Sequence, residues 1–125
     1  MEKNAAAFTV TKTILNKSIQ DCNSAMRSLL KDSGVVDYDS MAPGERVELS
    51  GFFVDGTETK ISAYRAKHRG DKRIWFSGLK KYAKPGDVMA LVVENGKLII
   101  KNLTTGVFIL ILNSGVWGEA LKWIG

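Results

Sequence analysis

The sequence predicts a mostly β domain with some helix. Roughly seven short strands, mainly antiparallel, are expected with one longer and one short helix. Three observations carry this. Segments rich in β-branched and aromatic residues recur along the chain, and such residues favour strands. Asp55-Gly56 and Asn95-Gly96 stand between such segments and signal hairpins, hence antiparallel neighbours. Many short strands in one small domain suggest a barrel or a partly closed barrel. With 125 residues, 45% of them hydrophobic, the chain can bury one core, and residues 1–125 are read as a single domain.

In order, Phe8 to Leu15 is β-branched and partly alternating, and reads as the first strand. Asn16-Lys17-Ser18 is a turn, with Ser18 placed to cap the next helix. That helix is expected over Ile19 to Lys31, where Ile19, Cys22, Met26, Leu29 and Leu30 share one face. Gly34 stops it. Val35 to Tyr38 is extended or irregular, and Ala42-Pro43-Gly44 is a turn. Arg46 to Val54 and Thr57 to Lys67 pair across Asp55-Gly56. Arg69-Gly70-Asp71 turns the chain into a strand over Arg73 to Ser77. Gly78 to Ala83 is the short helix. Val88 to Val93 and Lys97 to Leu103 form a hairpin around Asn95-Gly96, and Val107 to Leu112 is a last buried strand. The tail carries Trp117, Leu121, Trp123 and Ile124 as anchors.

Charge is concentrated. The net charge is +5. Between Ile61 and Lys84 stand Arg65, Lys67, Arg69, Lys72, Arg73, Lys80, Lys81 and Lys84, with Asp71 as the single acid. This stretch therefore exceeds the whole excess, and the remainder is slightly acidic. A local basic patch on a near-neutral body suits a polyanion, most often nucleic acid.

Several classes are disfavoured. No apolar run reaches the ~18 residues of a membrane span. The N-terminal segment has no continuous apolar stretch of the signal-peptide kind, so a cytoplasmic location and no membrane partner are expected. One cysteine and one histidine leave no cysteine-based zinc site and no histidine-rich metal centre. There is no Gly-rich phosphate loop and no nucleophile elbow. Cys22 lies on the predicted apolar face and reads as a buried structural thiol. Asp37 and Asp39 form an acidic pair of the kind that holds magnesium in nucleases, but no further carboxylate-lysine set follows them. No catalytic residue, metal or cofactor is assigned to this chain.

The basic hairpin is the main candidate site. Its tip carries Lys67, His68, Arg69, Asp71, Lys72 and Arg73. Like charges at a tip repel unless an anion or open solvent surrounds them. A two-stranded ribbon fits the major groove, where Arg and Lys pair with guanine and Asp accepts from cytosine N4. Asp71 is read equally as a turn-fixing or ion-pairing residue. A second polar cluster comprises Lys12, Asn16, Lys17, Ser18, Gln20 and Asn23 around the first turn. Asn and Gln suit adenine, and a helix start favours phosphate; ordinary capping and surface polarity is the plainer reading of that cluster.

The order of parts then resembles a known superfamily. Val10-Thr11 leads to a polar turn and helix. Tyr64-Arg65, the basic tip, Arg73-Ile74-Trp75-Phe76-Ser77, Gly78-Leu79-Lys80-Lys81-Tyr82 and Lys84-Pro85-Gly86-Asp87-Val88 follow. This is similar to the DNA-binding pseudobarrels, which include plant B-three-type transcription-factor domains and the effector-binding domains of EcoRII-type restriction endonucleases. The resemblance spans Phe8 to Leu112 and is sharpest from Tyr64 to Val88. It implies a seven-stranded open pseudobarrel that grips the DNA major groove with two arms. One arm would hold Asn16, Lys17, Ser18, Gln20 and Asn23, the other Lys67, His68, Arg69, Asp71, Lys72 and Arg73. Lys12, Lys80, Lys81 and Lys84 would contact phosphates. Residues 36–44 and the tail after Asn113 have no counterpart in the plant pattern.

The expected function is sequence-specific recognition of double-stranded DNA, and the resemblance implies the recognition domain of a restriction endonuclease, either as part of a parent protein that carries a nuclease domain or as a stand-alone chain. An RNA- or single-strand-binding barrel is the first alternative. A protein-interaction module using the tail tryptophans is the second.

Overall fold

A computed structural model describes residues 4–106. Strand β1 (Ala5–Thr9), helix α1 (Lys12–Lys17), strand β2 (Gln20–Asp21) and helix α2 (Ser24–Asp32) come first. Then follow β3 (Arg46–Phe53), β4 (Glu58–Arg65), β5 (Lys72–Phe76), β6 (Val88–Glu94) and β7 (Lys97–Asn102). Single 3-10 turns occupy Tyr38–Ser40 and Leu79–Lys81. The strands form one seven-stranded sheet in the order β1-β6-β7-β3-β4-β5-β2. β3 and β7 run parallel, and the other neighbouring pairs are antiparallel. The sheet is mixed and curls into an open half-barrel, as the pattern of short strands and hairpins predicts.

Alternation along the strands builds the core. Ile61 and Ala63 of β4, Ile74 and Phe76 of β5, and Met89 and Leu91 of β6 are fully buried. Each large apolar side chain so placed contributes about 1.5–3 kcal/mol. Phe8 of β1 stacks on Phe76 with centroids 5.5 Å apart, linking distant strands of the sheet across the core. Helix α2 presents Met26, Leu29 and Leu30 to the same interior. Where β3 meets β4 and β7, Gly51 permits close packing without displacing its neighbours. A Cβ on Gly51 would stand 2.6 Å from Ile61 Cδ1 and 3.2 Å from the Leu98 carbonyl oxygen.

The N-terminal elements differ from expectation. The strand read over Phe8 to Leu15 ends at Thr9, because Thr11 caps a helix: its Oγ1 accepts from Ile14 N at 3.2 Å. Ser18 is the C-cap of α1 in left-handed conformation (φ 57°), not the N-cap of a following helix. The helix expected from Ile19 begins at Ser24, and its N-cap is Asn23, whose Oδ1 accepts from Met26 N at 2.9 Å. Ile19 and Cys22 therefore precede the helix, and two residues between them pair with β5 as β2. The third hairpin forms as read: Asn95 (φ 50°) and Gly96 (φ 75°) make its two-residue loop. The strand expected at Val107 to Leu112 and the tail anchors lie outside the described residues.

Candidate nucleic-acid interface

Register decides which basic side chains meet. In the β3–β4 ladder Arg46 stands opposite Tyr64, and in the β4–β5 ladder Tyr64 stands opposite Arg73. The three side chains thus form one row across the sheet. Their neighbours Ala63 and Ile74 point into the core, so the row lies on the opposite face. The Arg46 guanidinium sits 4.8 Å over the Tyr64 ring, a cation–π contact that covers the aromatic face. This row, together with the adjoining tip, lines a groove of about 460 Å³.

The tip is a four-residue loop, Lys67 to Gly70. Ala66 N donates to the Asp71 carbonyl at 2.8 Å, and Gly70 N donates to the Ala66 carbonyl at 2.8 Å. The reversal is thus centred earlier than Arg69-Gly70-Asp71, and Asp71 belongs to the strand side. Arg65 braces the loop from the core side: its Nε donates to the Gly70 carbonyl at 3.0 Å and its Nη1 to the Met41 carbonyl at 2.8 Å. Gly70 takes φ 72°, a conformation that strains residues with a side chain, and a Cβ there would also displace the Arg65 guanidinium, 2.7 Å away. Lys67, His68 and Arg69 project outward and exposed. None of the three enters an ion pair among the described residues.

Asp71 stands just before β5 and Arg73 within it, and both line the groove. Arg73 Nη2 lies 3.2 Å from Asp71 Oδ2, with both side chains about two-thirds covered (31% and 35% exposed). Asp71 therefore pairs with Arg73 and not with Arg69. The backbone of Arg73 is held from behind, because the buried Tyr38 hydroxyl donates to its carbonyl at 2.6 Å. Lys72 alternates to the other face and reaches Asp39 Oδ1 at 3.3 Å. It does not line the groove.

The first polar cluster disperses. Gln20 is buried (5% exposed), with its amide turned inward. Asn23 closes the seam of the half-barrel: besides capping α2, its Nδ2 donates to the Ala7 carbonyl at 3.0 Å. Gln20 is thus held by burial and Asn23 by backbone hydrogen bonds. Lys12, Asn16 and Lys17 are exposed on α1. Asn16, Lys17 and Ser18 stand at the C-terminal end of that helix, where the dipole disfavours phosphate. Lys80, Lys81 and Lys84 are exposed beyond the far end of β5. None of these lysines lines the groove.

Asp37 caps the first 3-10 turn, accepting from Asp39 N and from Ser40 Oγ, and Asp39 holds Lys72. Both acids are occupied in local structure. No group of three or more metal-ligating side chains gathers among the described residues. Cys22 is buried beside Tyr38, and desolvation pushes its thiol up to about 11.

Arg46 and Tyr64 were not singled out in sequence, although Tyr64 stands in the segment that carries the resemblance. Arg46 looks like one end of a polar strand until the hairpin register is known. Among the described residues no helix is long and apolar enough to cross a membrane. The chain matches no family model, no curated protein and no solved structure.

Proposed function

We propose that the chain is a double-stranded DNA-binding domain that reads sequence through its β4–β5 hairpin. The observation that carries this is the groove in which Arg46, Tyr64 and Arg73 lie in one row beside the exposed Lys67-His68-Arg69 tip. Cations on the β4–β5 loop and on the adjoining sheet face offer a basic, donor-rich surface to the phosphates and base acceptors of the major groove. The tip supplies attraction to phosphate, and the row behind it supplies donors of fixed direction. Assignment as the recognition domain of a restriction endonuclease follows from the resemblance stated above.

Selection of the 125-residue chain on a randomised duplex library at ~0.15 M salt tests this, because non-specific attraction is weak there. Enrichment of a short motif is the expected result, with duplex preferred over the same sequence as a single strand. Binding without a motif that fades evenly with salt would refute it. Preference for single strands would favour the stacking mode, in which bases rest on aromatic faces.

A further inference from the structure

The groove contains two kinds of arginine. Arg69 is exposed at the tip and enters no ion pair among the described residues. The Arg73 backbone is fixed by strand pairing to Tyr64 and Asp21 and by the Tyr38 hydroxyl on its carbonyl, and its guanidinium is held by the Asp71 carboxylate. A side chain already held loses little freedom when it makes a directed contact.

The partner's charge narrows what Arg73 can contact. Asp71 makes the pair neutral and places a carboxylate in the groove, which a phosphate would repel. A G·C pair presents the complementary pattern. In the major groove guanine offers two acceptors, O6 and N7, and the adjoining cytosine offers a donor, N4. Arg73 brings a fork of N–H donors, and Asp71 has a second oxygen and spare lone pairs for N4. No other ion pair among the described residues lines this groove.

We propose that Arg73 and Asp71 act as a unit that reads one G·C base pair, while Lys67, His68 and Arg69 hold phosphates. This rests on the double-stranded DNA reading and assigns its base-discriminating residues.

The test uses the full chain in duplex selection, together with Arg73→Lys, Asp71→Asn and Arg69→Gln, and salt titrations on the selected site. The wild-type chain should enrich a motif with one G·C position that both Arg73→Lys and Asp71→Asn flatten. Their affinity for that site should fall on the order of 10–100-fold, with random duplex little changed. Arg69→Gln should weaken selected and random duplex alike and reduce the salt slope by about one. A wild-type motif that survives both Arg73→Lys and Asp71→Asn at every position overturns the proposal and leaves the DNA reading intact. Absence of any wild-type motif overturns that reading and this proposal with it. Melting midpoints accompany each variant. If Arg73→Lys unfolds the hairpin, Asp71→Asn, which keeps the side-chain shape, decides the outcome.

Discussion

Gln20→Met separates the buried from the exposed reading of the first polar cluster. Gln20 is 5% exposed, and its Oε1 has no hydrogen-bond partner among the described residues. Its Nε2 donates to the Asp21 carbonyl at 3.1 Å. A buried acceptor left unpaired costs about 1–3 kcal/mol, and the one hydrogen bond returns about 1 kcal/mol. Methionine has nearly the same length and volume, so the cavity cost is small. Asp21 is exposed, and its carbonyl can turn to water once the amide is gone. Gln20→Met should therefore stabilise the domain by about 1–2 kcal/mol. Unfolding entropy of about 2.1 cal/mol/K per residue converts this to a rise in Tm of ~4–8 °C for a chain of this length. Urea unfolding should show a higher midpoint at unchanged slope, and duplex affinity should stay the same. An unchanged or lower midpoint would refute the reasoning, and would mean that a buried water satisfies Oε1. A tenfold loss of duplex affinity would instead show that Gln20 reaches the ligand.

Three further outcomes follow. Asn23→Ala removes the cap of α2 and the seam bond to Ala7 and should cost ~2 kcal/mol in urea unfolding, with Asn23→Ser recovering about half through capping alone; equal losses for both variants would show that the seam bond carries everything and refute the capping contribution. The Asp87 carboxyl is held below its ordinary value of 3.8, first by the Lys84 backbone N–H and then by the Asn102 side chain. A depressed folded-state value gives stability that is present above the unfolded value and lost as pH falls through the folded one. Asp87→Asn should therefore lower stability at pH 7 and flatten the fall below pH ~4, and an unchanged acid limb would contradict this. Cys22, buried with its thiol raised to about 11, should resist thiol reagents at pH 8 until the chain unfolds; rapid labelling of the native protein would place it at the surface.

The hairpin-rich part of the chain was legible because its signals are local. Asn95-Gly96 sets its loop by backbone preference alone, and the strands on either side follow. Met26, Leu29 and Leu30 likewise mark the buried face of α2 through spacing alone. The segment before α2 was misread because its apolar residues continue the helical spacing. Ile19 and Cys22 fit that pattern, yet Asn23 bonds Met26 N and Ala7 and starts the helix later. Likewise Thr-Ile-Leu at positions 13–15 favours a strand by residue type, but the Thr11 cap turns it into α1. A side-chain cap of this kind competes with propensity at a cost of only about 1 kcal/mol, too close to decide from composition.

What the sequence determined by itself was a small, mainly antiparallel β domain with hairpins at defined places and a basic segment at the tip of one of them. Tertiary structure alone decided which cations share a face. A two-residue loop at Asp55-Gly56 would set Arg46 opposite Arg65. The actual loop is one residue longer: Phe53 N donates to the Thr57 carbonyl, Gly56 takes φ 89°, and Arg46 meets Tyr64. A shift of one residue exchanges the two faces of a strand. That shift aligns Arg46, Tyr64 and Arg73 in one row, while Arg65, at the edge of the same groove, is tied to the Gly70 and Met41 carbonyls. The parallel β3–β7 pairing is equally non-local, since it sets Gly51 opposite Leu98, far along the chain. Hairpin signals act over a few residues, whereas register and face are settled by packing between segments far apart in the chain.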